Sequence, residues 1–147
     1  MLSRDSAESA RGGLHVRAAA IALCVTIFAV PCALAGECAD QTQSGLNACA
    51  DEAFRKADAA LNGAYKEIVR RLKDDPTTTR LLVQAQKAWL GWRDAECAFS
   101  SSPNAGGSIF QMVYSMCLET LTKKRVAKLG AYLKCGEGDL GCPVPAK

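Results

Sequence analysis

The sequence predicts an all-α protein, a disulfide-bonded three-helix up-down-up bundle that follows a cleaved signal peptide. Apolar residues recur every three or four positions through three long stretches, and no stretch alternates as a strand would. Breaks that contain proline or glycine separate these stretches. Because such short connections place successive helices side by side and antiparallel, the three helices are expected to form one bundle.

The N-terminal 35 residues have the organisation of a secretory signal. Residues 1–17 are polar and carry charges of both signs, and Ala18–Val30 is an apolar run without a charge. That run is shorter than the roughly 20 residues that span a bilayer as a helix. Ala33-Leu34-Ala35 supplies a small-x-small cleavage site. We therefore expect residues 1–35 to be removed, leaving no stable membrane anchor.

Two alternatives concern this segment. Cys24 and Cys32 lie where the lipidated cysteine of a lipoprotein would lie, although Leu23 and Pro31 before them are poor residues for that processing. The polar region is also long for a signal and contains acids, so translation starting later in the chain is the second alternative.

Removal of residues 1–35 leaves 36–134 as one small helical domain and 135–147 as a C-terminal tail.

The first helix is predicted from Ser44, as its N-cap, to about Leu72. Gly63 weakens its interior by about 1 kcal/mol relative to alanine, but the apolar stripe continues through it. Asp74-Asp75-Pro76 ends the helix, because proline moves the preceding residue out of the helical region. The stripe consists of Leu46, Cys49, Ala53, Ala57, Leu61, Tyr65, Ile68 and Leu72.

The second helix is predicted from about Thr77 or Thr78 to Phe99, and it contains both tryptophans. Trp89 and Trp92 are interpreted as core residues, because two indoles bring several hundred Å² of surface that segments on either side would have to cover. Arg93 lies in an i, i+4, i+8 stripe with Trp89 and Cys97.

Residues 100–107 form a predicted loop, and Ser108 is expected to cap a third helix that ends at about Leu133. One face of this helix carries Arg125 together with the apolar residues Phe110, Val113, Cys117, Leu121 and Leu129.

Of the eight cysteines, six remain after removal of the signal: Cys38, Cys49, Cys97, Cys117, Cys135 and Cys142. An even number in a small exported domain predicts three disulfides. Cys135 with Cys142, which enclose a glycine-rich tail loop, is the simplest pair. Our interpretation of the other four favours Cys38–Cys97 and Cys49–Cys117, although spacing alone leaves the connectivity open.

Composition excludes several classes of function. The formal net charge is +3, and the basic residues are interleaved with acids, which argues against nucleic acid as a partner. The single histidine, His15, precedes the predicted cleavage site, so the mature chain cannot hold a Ser-His-Asp triad or a zinc site with histidine ligands. No glycine-rich phosphate loop is present. We expect a protein that is not an enzyme and needs no cofactor or metal.

Six motifs in order along the chain resemble the family of LprI-like lysozyme-inhibitor N-terminal domains, over Cys38 to about Leu129. They are Asn47-x-Cys49, Asp58-x-x-Leu61-Asn62-x-x-Tyr65, Gln86-x-Ala88-Trp89-Leu90-x-Trp92-Arg93-Asp94-x-x-Cys97, Gly106-Gly107-Ser108, Cys117, and Thr122-x-x-Arg125-x-x-x-Leu129. That family usually has tyrosine at the position of Trp92, and the tail from Cys135 is an addition. The resemblance implies a helical, disulfide-bonded domain in the periplasm or outside the cell and, for the founding lipoprotein, inhibition of lysozyme.

The polar residues of these motifs are candidates for either a binding site or an internal network. A buried guanidinium at Arg93 would need carboxylate partners, which Asp58 or Asp94 could supply, so a structural network is the favoured interpretation. The candidate set is Asp58, Asn62, Arg93, Asp94 and Arg125, with the aromatic residues Tyr65, Trp89 and Trp92.

The predicted function is a non-catalytic periplasmic or secreted binding protein whose protein partner, by resemblance, is lysozyme. The alternative is a structural or stress-related interaction module of the envelope. Animal lysozymes are strongly basic, so a nearly neutral inhibitor would need a local acidic patch or a protruding loop. The exposed candidates for such a patch are Asp74, Asp75, Glu137 and Asp139.

Overall fold

The computed structural model describes residues 38–146, which form three helices and no strand. Helix α1 is Gln43–Arg71, helix α2 is Pro76–Ser101 and helix α3 is Phe110–Tyr132; a 3₁₀ turn, Ser102–Asn104, follows α2. The prediction of an all-α, disulfide-bonded three-helix bundle is confirmed. The predicted signal peptide lies outside the described residues. None of the helices described is long and apolar enough to cross a membrane.

Helix α1 begins two residues earlier than predicted, because its N-cap is Thr42 rather than Ser44. The Thr42 hydroxyl accepts a hydrogen bond from the backbone N–H of Gly45 at 3.1 Å. Asp40 Oδ1 in turn accepts from the backbone N–H of Thr42 at 2.8 Å, which holds the capping residue in place. Both residues can cap a helix, and the contact with Asp40 favours the earlier one.

Helix α2 starts at the predicted break. Asp75 is its N-cap and accepts from the backbone N–H of Thr78 at 2.9 Å, while Pro76 occupies the first helical turn, where its missing N–H costs nothing. These hydrogen bonds keep the pKa of Asp75 below its ordinary value.

Helix α3 begins at Phe110, and the prediction that Ser108 caps it is wrong. Ile109 is the N-cap and makes no side-chain capping bond. Ser108 instead offers its backbone carbonyl to Asn47 Nδ2 at 3.1 Å, so it joins the loop to the start of α1. Gly106 has φ of 77°, a left-handed conformation that favours glycine in this turn.

The core lies mainly between α1 and α3, whose backbones approach each other far more extensively than either approaches α2. Its buried residues are Leu61, Ile68, Leu72, Leu129 and Val144. Trp89 and Leu82 of α2 pack against this cluster, as does Tyr65. Val144 brings the C-terminal tail into the core, so the tail is anchored beyond its disulfide.

The three disulfides join Cys38 to Cys49, Cys97 to Cys117, and Cys135 to Cys142. The tail pair is the one expected, but the favoured pairs Cys38–Cys97 and Cys49–Cys117 are wrong. Cys49 lies in the first turns of α1, beside the segment that precedes the helix, whereas Cys97 is fully buried between α2 and α3 and reaches Cys117. Each disulfide contributes roughly 2–4 kcal/mol, mainly by restricting the unfolded chain.

The end of the bundle that holds the C-termini of α1 and α3 is fastened by Arg71. Its guanidinium is nearly buried, donates to the carbonyl of Leu133 at 3.0 Å and pairs with Glu67 at 3.0 Å. Hydrogen bonds from Arg70, and then from Arg71, lower the pKa of Glu67 from 4.5 to about 2.

This arrangement predicts an acid-sensitive contribution to stability. Because the pKa of Glu67 is lower in the folded chain than in the unfolded chain, its contribution is complete above about pH 4.5 and is lost as the pH falls through about 2. Thermal melts of Glu67→Gln and the parent should differ most near neutral pH and converge between pH 4.5 and 2. A difference that stayed constant over this range would contradict the assignment.

Candidate functional site

The polar network predicted around Arg93 lies where all three helices meet. Arg93 extends inward from α2, and its side chain is only 8% exposed. It is placed there by helical spacing, because Gln86, Trp89, Arg93 and Cys97 share the inner side of α2. A buried guanidinium is stable only when its donors find acceptors.

The acceptors come from each helix. One carboxylate oxygen of Asp94, the next residue on α2, accepts hydrogen bonds from Arg93 Nε at 2.9 Å and from Arg93 Nη2 at 2.8 Å. Nη1 donates to the Thr122 hydroxyl of α3 at 3.3 Å and lies 3.7 Å from Asp58 of α1. Asn62 Nδ2 donates to the other oxygen of Asp58 at 2.9 Å. The predicted partners of Arg93 are thus in place.

Aromatic rings complete the surroundings of the charge. The Arg93 guanidinium carbon lies 5.4 Å from the ring centroid of Phe54 on α1 and 5.2 Å from that of Trp89. Arg125 of α3 lies 5.6 Å from the same indole, and its Nε donates to Gln86 Oε1 at 3.1 Å. Trp89 is therefore in contact with two cations, at distances where ring and cation attract each other.

Three members of the network were not among the predicted site residues: Phe54, Gln86 and Thr122. Gln86 and Thr122 each open one of the quoted motifs, and their buried polar side chains fit a role inside the bundle. Phe54 carried no signal in the sequence, because it lies outside the apolar stripe of α1.

The network opens to solvent through its carboxylates. The side chains of Asp58 and Asp94 are 38% and 52% exposed, whereas the guanidinium between them is covered. Among residues 38–146, no group of three or more metal-ligating side chains comes together. The arrangement can hold three helices in register and present two carboxylates, but it offers no paired nucleophile and base.

The prediction that Trp92 belongs to the core is wrong. Trp89 is half-buried on the inner side of α2, whereas Trp92 is 52% exposed. Three residues advance a helix by about 300°, so the two indoles diverge by roughly 60° around the axis. Ala85, which lies on the same side of α2 as Trp92, is also exposed.

An open groove lies between the N-terminal half of α1 and α3. Small side chains line its α1 side, among them Ala53, Ala57 and Ala60. The charged residues on its two helices are paired within their own helix, Lys56 with Glu52 at 2.8 Å and Lys123 with Glu119 at 2.6 Å. The groove is therefore open, and the charged groups on its helices already have partners.

The exposed acidic candidates lie at the opposite end of the bundle. Asp74 and Asp75 are in the α1–α2 connection, and Glu137 and Asp139 are in the tail loop closed by Cys135 and Cys142. The connection and the tail loop come together in one core cluster, through Leu72, Leu133 and Val144. Leu140, at the outer edge of the tail loop, is fully exposed.

The chain is similar to one protein family and to a bacterial relative. A family model described as lysozyme inhibitor LprI matches residues 35–129. An uncharacterized protein of Rhizobium meliloti (strain 1021) is 35% identical over 107 residues, an alignment that covers 65% of this chain and 77% of the relative. No solved structure matches.

The network predicts that Arg93 is required for stability. Arg93→Ala removes one partner of a buried charge network and leaves polar groups unpaired, a change that costs about 3–5 kcal/mol. Arg93→Lys should fall between alanine and the parent, because an ammonium keeps the charge but loses the planar fork. Chemical denaturation measures the difference.

Arg55→Ala provides the matched control. Arg55 is 76% exposed and pairs with Asp51 at 2.7 Å on the surface of α1, so its loss should cost less than about 1 kcal/mol. If Arg93→Ala proved as stable as Arg55→Ala, the network would not hold the helices together.

Proposed function

The chain belongs to the lysozyme inhibitor LprI family, and we propose that it is a non-catalytic, exported binding protein that inhibits lysozyme. Lysozyme is proposed as the partner because the chain belongs to this family. The described residues support binding rather than chemistry, since their buried polar groups are engaged with one another and their exposed features are a loop and a helix face.

We place the inhibitory surface at the end of the bundle formed by the α1–α2 connection and the tail loop. The tail loop is closed by a disulfide at its base and anchored by Val144, so it would lose little conformational freedom on binding. Leu140 offers an exposed apolar side chain next to Asp139 in the same loop as Glu137, which suits insertion into a cleft with a basic surround.

Charge at this end limits the mechanism. Asp74 is 88% exposed, with Lys73 Nζ 3.8 Å from its carboxylate, and Lys134 lies on the same end. The local field is therefore mixed, so long-range attraction to a basic lysozyme is weak and short-range fit must provide most of the affinity. The family match ends at residue 129, so Asp74 lies inside the matched part and the tail loop outside it.

Export is part of the proposal. We propose that residues 1–35 form a signal peptide, that residues 36–134 form the helical domain and that residues 135–147 form a disulfide-looped tail in the periplasm or outside the cell. Three disulfides in so small a domain support an oxidising compartment.

Mass spectrometry of the intact protein tests the export step. Protein recovered from the periplasm or medium should have the mass of a chain beginning at Gly36, reduced by the hydrogens lost in three disulfides. The full-length mass, or a lipid on Cys32, would contradict cleavage after Ala35.

Inhibition is tested by adding the oxidised protein to lysozyme that is digesting bacterial cell walls. Lysis should slow at micromolar protein, and calorimetry should detect the complex. Failure of both would leave an envelope structural or stress-related interaction module as the better assignment.

Charge-reversal variants locate the inhibitory surface. Glu137→Lys and Asp74→Lys should each weaken inhibition at least about threefold at low salt, with a smaller effect at high salt. Glu52→Lys, which reverses an exposed charge in the groove far from this end, is the matched control and should leave inhibition unchanged. Equal effects of all three would show that only net charge matters.

A further inference from the structure

Helix α2 has a second apolar face, on the side away from the bundle. Leu81, Trp92 and Phe99 are 53%, 52% and 77% exposed, and Ala85, Ala88 and Ala95 between them are exposed as well. Their separations of four, three, four, three and four residues form a continuous stripe with the spacing of a coiled-coil seam. No charged residue interrupts the stripe.

The stripe is symmetric about position 90. Residues 81 and 99, 85 and 95, and 88 and 92 are equidistant from that position. Two copies of α2 that pack antiparallel around a two-fold axis at this point would therefore place Leu81 opposite Phe99, Ala85 opposite Ala95, and Ala88 opposite Trp92. A C₂ interface requires such a self-complementary surface.

The sizes of the side chains in the two central layers, at positions 88 and 92, favour this antiparallel register. Each Trp92 would face Ala88 of the other copy, so a large side chain meets a small one, as close packing requires. A parallel register would instead place Trp92 against Trp92 and Ala88 against Ala88, so that one central layer would be crowded and the other empty. Gln84, Gly91 and Ala98 flank one side of the seam, where none of them introduces like-charge repulsion.

From these observations, we propose that the occupant of this face is a second copy of the chain, bound antiparallel through α2 as a homodimer. The proposal does not depend on lysozyme binding, because the seam runs along the side of the bundle rather than at the end that carries Asp74 and the tail loop. Dimer formation would leave both of those ends free.

The dimer is expected to be reversible. The stripe from Leu81 to Phe99 is about 27 Å long at 1.5 Å per residue, and a helix face is about 10 Å wide, which gives a footprint of roughly 270 Å² per copy. Stable interfaces bury about 800 Å² on each partner. We therefore expect the protein to be a monomer at low micromolar concentration and a dimer at roughly 100 µM and above.

Sedimentation velocity of the oxidised, exported protein tests the proposal across this concentration range. The parent should shift from monomer to dimer, and Trp92→Glu should weaken association at least about tenfold, since a buried tryptophan at the centre of an interface is a typical hot spot. Circular dichroism should show Trp92→Glu to be folded, because the parent side chain is half-exposed. The Glu52→Lys variant, away from the seam, should dimerise like the parent.

A residue swap tests the register. Ala88→Trp alone would set two indoles against each other and weaken the dimer, whereas Ala88→Trp combined with Trp92→Ala recreates the same layer and should restore it. Leu81→Cys combined with Phe99→Cys should give a covalent dimer on oxidation, whereas Leu81→Cys alone should not. Crosslinking by Leu81→Cys alone would overturn the antiparallel arrangement.

Protein that stays monomeric at several hundred micromolar, or Trp92→Glu that dimerises as the parent does, would overturn the proposal. Co-sedimentation of monomeric protein with vesicles of anionic and zwitterionic phospholipid, abolished by Trp92→Glu, would instead assign the face to a lipid surface and also overturn it. Because lysis inhibition is measured separately, either result leaves the test of lysozyme binding intact.

Discussion

The arrangement of the bundle depends on the burial of a single charge, the guanidinium of Arg93. A cation removed from water must keep its hydrogen-bond acceptors, and here these come from Asp94 of α2, Thr122 of α3 and the nearby carboxylate of Asp58 on α1. The core between α1 and α3 is apolar and could tolerate sliding, but the geometry of these polar contacts changes sharply with position. The network therefore fixes where α2 lies along the other two helices.

This requirement also explains why the candidate residues are divided between structure and surface. Arg93 and Arg125 both contact the Trp89 indole, and their charge is used inside the bundle. Asp58 and Asp94 reach solvent, but they are already engaged with Arg93. The surfaces that the network leaves free are the end of the bundle that carries Asp74 and the tail loop, and the outer side of α2.

The two free surfaces differ in the physical basis of binding. The bundle end is polar and rigid, because the tail loop is closed by Cys135–Cys142 and held by Val144 in the core. The outer side of α2 is apolar, and nothing among residues 38–146 covers it. A macromolecule with a cleft suits the first surface, whereas a matching apolar helix suits the second.

The sequence by itself determined the three helices and the break at Asp74 to Pro76, because apolar periodicity and proline act through the local backbone. The even number of cysteines follows from the composition alone. It also identified Arg93 and the carboxylates as one group, since a guanidinium within an apolar stripe has few compatible partners.

Only the tertiary structure decided which tryptophan is covered, which cysteines pair and which residue caps each helix. Helical spacing gives the angle of a side chain around its own axis, but not which neighbour covers that angle. Trp89 and Trp92 are equally apolar, and only the position of α3 and its Arg125 distinguishes them. Disulfide pairing likewise depends on distances across the fold, which placed Cys97 beside Cys117 and left Cys49 to the segment before α1.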